Sequence, residues 1–121
     1  MESEIILRML QVQNQVKIYH FQTSSYARHL ASDRLFTSLV NNIDRFAEVL
    51  QHTKRIKLKN STFLPLYNFN HKEMIDYLTD FAIWLETELP KLLNRKSVDL
   101  LNIRDEILAD VNQTLYLFSF K

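Results

Sequence analysis

None of the 121 residues is glycine, and proline occurs only at positions 65 and 90. A backbone without glycine has no residue that takes positive φ freely, so tight two-residue hairpins are hard to build. Glycine-dependent designs, the P-loop and the dinucleotide-binding fingerprint, are excluded outright. The chain therefore reads as all-α. Cysteine is also absent, which removes disulfides, thiolate metal sites and cysteine nucleophiles. A net charge of +1 supplies no global field that would favour nucleic acid or a membrane. The length suits one domain over 1–121, burying roughly two thirds of the unfolded surface. With no export signal and no long uncharged apolar run, a soluble cytoplasmic protein is expected.

Hydrophobic periodicity predicts four helices. The first runs from about Ser3 to Phe21, with Ile5, Met9, Val12, Val16, Tyr19 and His20 on one face. The second begins at an N-cap at Ser24 or Ser25 and reaches about Gln51, with Leu35, Phe36, Leu39, Ile43, Phe46 and Leu50 inward. The third follows Asn70, with Glu73 as capping-box partner. Its apolar face is Met74, Leu78, Phe81, Leu85 and Leu89, and Pro90 is expected to end or kink it. Ser97 is the expected N-cap of the fourth, which buries Leu100, Ile107, Leu108, Val111, Leu115 and Phe118. Tyr67, Phe69, Tyr77, Trp84, Tyr116 and Phe118 are read as packing the core and its interfaces.

Short links join helices one to two and three to four, so each pair should be antiparallel. About eighteen residues, His52 to Asn70, separate helices two and three. Extended, they span roughly 55 Å, enough to cross the length of a bundle. The expectation is an antiparallel four-helix bundle with a long crossover between helices two and three.

His29, Asp33, Asp44 and Glu48 follow the spacing H-x3-D-x10-D-x3-E on the second helix, and His20 stands just upstream. Imidazoles and carboxylates together suit iron or another first-row metal. Asp33 and Asp44 lie roughly 16 Å apart along the helix, so one ion cannot touch both within one chain. The five residues form one site only if a second, antiparallel copy supplies Asp44 and Glu48. The plainer alternative is a solvated helix edge whose acids pair with Arg28, Arg34 or Arg45. Glu48 and His52, four apart, could likewise pair on a surface turn.

The stretch from Lys17 to Leu50 resembles the ferroxidase region of the Dps-type mini-ferritins, whose pattern is H-W-x10-H-x3-D-x10-D-x3-E. His29, Asp33, Asp44 and Glu48 match in type and spacing. His20 matches as the first ligand, with a gap to His29 three residues shorter, and Phe21 replaces the tryptophan. The whole chain is similar to an uncharacterised ferritin-like family of large DNA viruses and phages, through Lys57 to Thr62 and the terminal NIRDEIL and TLYL segments. That resemblance implies a ferritin-like fold, located in host cytoplasm or virion if the protein is viral. The mini-ferritin resemblance implies an iron site shared across a two-fold axis, with a homodimer through helices one and two and a higher oligomer left open.

Two functions compete. One is a mini-ferritin-like iron protein that oxidises Fe(II), with another divalent metal such as zinc not excluded. The other is a non-enzymatic ferritin-like scaffold or interaction protein with a degenerate metal site. Arg104 inside the fourth helix's apolar stripe supports the second, as a counter-charge to a buried carboxylate. So do the shortened gap between His20 and His29 and the lack of further ligands, including the paired E-x-x-H motifs of larger di-iron bundles. The run Lys54, Arg55, Lys57, Lys59 could touch nucleic acid, but it reads better as a solvated crossover loop that buries Ile56 and Leu58.

Overall fold

Local signals start most of the helices where the sequence places them. The computed structural model describes residues 2–59, 61–94 and 97–120. Helix α1 (Glu2–Gln22) carries Glu2 and Glu4 in its first turn, where the positive end of the helix dipole favours carboxylates. Helix α2 (Tyr26–Leu50) is capped by Ser25, whose hydroxyl accepts from the Arg28 N–H at 3.3 Å. Helix α3 (His71–Ile83) opens with the expected capping box: the Glu73 N–H donates to Asn70 Oδ1 at 2.8 Å, and the Asn70 N–H to Glu73 Oε1 at 3.0 Å. Helix α5 (Val98–Phe118) differs. Ser97 holds the cap position but its side chain makes no cap bond, and Asp99 Oδ1 accepts the Leu100 N–H instead.

Pro90 does not end its helix. Beyond α3 the backbone widens into a π-helical segment, Trp84–Glu88, and continues as the short helix α4 (Leu89–Leu92). In the widened turn the Leu89 N–H reaches back to the Trp84 carbonyl. The Leu85 carbonyl is then left over, because the next residue in line, Pro90, has no N–H to give. Arg104 of α5 fills the gap, its Nη1 donating to Leu85 O at 2.8 Å.

The described residues are helical outside their connections and include no strand. Helix α2 packs along both α1 and α5, and α3 packs against α5. At one end Tyr19, His71 and Phe118 meet, with the Tyr19 and Phe118 rings 5.5 Å apart and the Tyr19 hydroxyl 2.8 Å from His71 Nδ1. At the other end Ile5, Leu50, Leu93 and Leu100 surround a common cavity. Between them the predicted stripes form one core, in which Phe46, Phe81 and Phe118 are fully buried. Each such side chain stabilises the fold by about 1.5–3 kcal/mol. Tyr67 and Tyr116, expected at the core or its interfaces, are 47% and 64% exposed. Their rings pack on aromatic neighbours instead, Tyr67 on Phe69 with centroids 5.2 Å apart and Tyr116 on Phe120 at 5.1 Å.

The crossover is tied to α1 by glutamines. Gln15 is fully buried, donating from Nε2 to Tyr67 O at 2.9 Å and accepting the Tyr67 N–H at 2.8 Å. Gln11 reaches Pro65 O at 3.2 Å, and Gln22 reaches Asn68 at 2.8 Å. Of the basic run, Lys54, Arg55, Lys57 and Lys59 are exposed. Ile56 is half-buried, whereas Leu58 is 47% exposed, so only one of the two aliphatic side chains is partly covered. Asn60, within the Lys57–Thr62 segment, lies outside the described residues. No helix is long and apolar enough to cross a membrane among the described residues.

Candidate metal centre

A three-residue turn, residues 23–25, sets the last turn of α1 beside the first turn of α2 and brings His20 onto His29. The imidazole rings stack with centroids 3.9 Å apart and planes tilted by 19°. Each ring bonds to the other's backbone: His20 Nδ1 lies 2.8 Å from His29 O, and His29 Nδ1 lies 2.9 Å from His20 O. A carbonyl oxygen only accepts, so both Nδ1 atoms carry hydrogen. In the neutral imidazoles both Nε2 atoms are therefore left as lone-pair donors. This is the arrangement in which a histidine serves a metal, its other nitrogen fixed by a carbonyl. The short gap between His20 and His29 makes the reciprocal bonds possible.

His20 Nε2 stands 3.9 Å from Asp33 Oδ1. That separation leaves room for a metal ion between a lone pair and a carboxylate. Two metal–ligand bonds of roughly 2.1 Å each can bridge such a gap. His20 is buried, while the Asp33 side chain is 53% exposed, so the pair opens from the bundle's interior to its surface. Asp33 already has a neighbour in Lys17, whose ammonium is 3.8 Å from Oδ1. None of Arg28, Arg34 and Arg45 makes an ion pair with Asp33, Asp44 or Glu48 among the described residues. Asp44 and Glu48 lie exposed further along α2, away from the imidazoles. The His52 ring nitrogen turns to Val49 O at 3.0 Å, not to Glu48. Among the described residues, no three His, Asp or Glu side chains of one chain could hold an ion together.

Arg104 does not act as counter-charge to these acids. Its partners are Leu85 O and Asp105 Oδ1, the latter 2.8 Å from Nε. The reason lies in the π-helical turn: the guanidinium answers an orphaned carbonyl, so it does not neutralise a buried acid.

Two polar groups escaped the sequence reading, and a third, Arg28, was read only as a partner for surface acids. Asp110 of α5 is half-buried against α2, accepting from the Ser38 hydroxyl and, at 3.4 Å, from Asn42 Nδ2. Its place on the edge of an otherwise apolar stripe was the available signal. His71 sits between Tyr19 and Phe118, and burial lowers its pKa below 6.5. The charge of Arg28 lowers it further, while a hydrogen bond to the Phe118 backbone raises it. Arg28 Nε is buried without a hydrogen-bond partner. A cavity of about 530 Å³ lies at the opposite end, lined by Ile5, Val49, Leu50, Leu92, Leu93 and Leu100. The surface beside Asp33 is instead an open depression of Leu30, Asp33, Arg34, Thr37 and Ser38.

No curated protein and no solved structure matches the chain. A family model described as a family of unknown function, DUF5856, matches residues 20–118, a span that includes all five candidate ligands. The chain is a member of that family.

Proposed function

We propose that the protein binds Fe(II) as a mini-ferritin-like dimer, at a site made of His20, His29 and Asp33 from one copy and Asp44 and Glu48 from the other. The observation that carries this reading is the reciprocal Nδ1–carbonyl bonding, which leaves Nε2 free on both imidazoles, that of His20 standing 3.9 Å from Asp33 Oδ1. The register of α2 supports the pairing. His29 and Glu48 are placed symmetrically about the point between Ser38 and Leu39, and so are Asp33 and Asp44. One two-fold axis at that point therefore sets both pairs opposite each other. Tyr26, Leu30 and Val40 are exposed on the same stripe of α2 as the acids, at 75%, 47% and 37%, and would be covered by such a partner.

The ferritin-like reading of the fold rests on the order of ends. The first turn of α3 lies by the last turns of α1 and α5, which requires the crossover to return along the bundle. Iron here is the substrate. Fe(II) loses one electron to peroxide or dioxygen, and the carboxylates favour the harder Fe(III) product. His29→Ala or Asp44→Ala is expected to abolish rapid Fe(II) oxidation while leaving helicity intact, followed by ferric absorbance and circular dichroism. Equal oxidation rates in wild type and variants reject the proposal.

One observation favours a second reading, a ferritin-like scaffold with a degenerate site: the Lys17 ammonium already neutralises Asp33. That reading expects no iron or zinc to survive dialysis after metal-replete purification. Retained stoichiometric metal excludes it.

A further inference from the structure

Lys17 stands one turn before Phe21 and three residues before His20, so the three side chains share one face of α1. Its ammonium has neighbours on three sides: Asp33 Oδ1 at 3.8 Å, the Phe36 ring centroid at 4.7 Å and the Phe21 centroid at 5.2 Å. Aromatic faces attract a cation through their quadrupole without cancelling its charge. The ammonium therefore has a resting place that does not depend on Asp33. With the side chain 33% exposed, the head can shift between carboxylate and rings while the stem stays packed.

The charges decide what this arrangement does. Counting the imidazoles as neutral ligands, Asp33 and Lys17 cancel, and one chain offers a dication no net negative charge. Asp44 and Glu48 of a second copy would add two negative charges at the same place. Resting on the shared-site reading above, we infer that Lys17 is an internal competitor for the metal. Its ammonium holds Asp33 in the isolated chain and withdraws onto Phe21 and Phe36 when a dication enters. Metal loading thereby becomes conditional on the second copy's acids. Lys17 is a competing cation and not a ligand, and the half-neutralised Asp33 belongs to a working site, not a degenerate one.

The test is Co(II) titration of the full metal-stripped chain, followed by calorimetry and d–d absorption. Lys17→Met keeps an unbranched stem against the rings and removes the charge. It should bind Co(II) about tenfold more tightly, because a positive charge roughly 4 Å from the carboxylate is gone. Lys17→Gln should do the same, and Lys17→Arg, which keeps the charge, should stay within about threefold of wild type. The gain should vanish when Asp33→Asn is added to Lys17→Met. Sedimentation should show a smaller Co(II)-driven shift from one chain to two in Lys17→Met than in wild type. Wild-type affinity in either charge-free variant, a gain that survives Asp33→Asn, or an unchanged sedimentation shift overturns the inference while the shared site stands. If wild type and variants alike bind no Co(II), the shared site itself fails and the inference falls with it.

Discussion

In the hairpin of α1 and α2, two backbone carbonyls are met by imidazoles. Where α3 and the π-helical segment pack on α5, one carbonyl is met by a guanidinium. Both arrangements satisfy polar backbone in the half-buried interior of a helical protein, yet they leave opposite residues of chemistry behind. Each histidine spends Nδ1 on its carbonyl and keeps a lone pair at Nε2. Arg104 donates to Leu85 O and to Asp105 and keeps nothing that could bind a cation. The comparison separates polar groups that complete the fold from groups that complete it and still offer a ligand. Only the first hairpin is a candidate for metal chemistry, and the π-helical turn is explained by Pro90 without any function.

Four substitutions test that contrast, the largest effect first. His20→Ala removes a buried ring and strands a hydrogen-bond partner on His29, so it should cost about 2–3 kcal/mol in urea denaturation and also abolish metal binding. Arg104→Met should cost about 1–2 kcal/mol by leaving the Leu85 carbonyl unsatisfied, with Co(II) affinity unchanged. A loss of affinity there would mean that the two hairpins are not chemically independent. His71→Gln addresses pH. The unfolded imidazole titrates near 6.5 and the folded one lower, so the unfolded chain binds the extra proton in the interval between. The stability linked to this residue is whole above pH 6.5 and is lost as pH falls through that value toward the folded pKa. Urea midpoints between pH 5 and 7 should therefore rise with pH in wild type, and His71→Gln should flatten the rise. Lys72→Ala, which breaks an exposed pair with Asp76 at 3.4 Å, should change stability by less than about 0.5 kcal/mol, setting the scale for a group with no structural duty.

The helices were legible because their signals are local. Periodic Met74, Leu78, Phe81 and Leu85 point inward whatever the partner helix, and Asn70 with Glu73 closes a capping box within four residues. The same holds for His20 and His29, which a short turn brings together. What stayed hidden depends on distant chain. The π-helical turn makes sense only once Arg104, nineteen positions from Leu85, is in place. Gln15 looks like a polar flaw in an apolar stripe until Tyr67, fifty-two positions away, docks on it. A local exception is Ser97, which keeps the expected cap position while its hydroxyl makes no cap bond and Asp99 Oδ1 accepts the Leu100 N–H. For the candidate site, the sequence named five residues, of which the folded chain sets His20 beside His29 and Asp33 and leaves Asp44 and Glu48 exposed further along α2. It could not show that Lys17 would stand against Asp33, because that contact needs the hairpin closed.

The glutamine at position 15 carries a consequence for the order of events as the chain folds. Its amide offers the crossover a substitute peptide unit, one donor and one acceptor, in the form a neighbouring strand would present. That substitute exists only after α1 has formed, and reaching it closes a loop of about fifty residues, an entropic cost that local helix formation does not meet. The crossover is thus expected to fasten late, after the first two helices have found each other. A chain with leucine at this position should assemble its hairpins at the usual speed and stall at the final docking step.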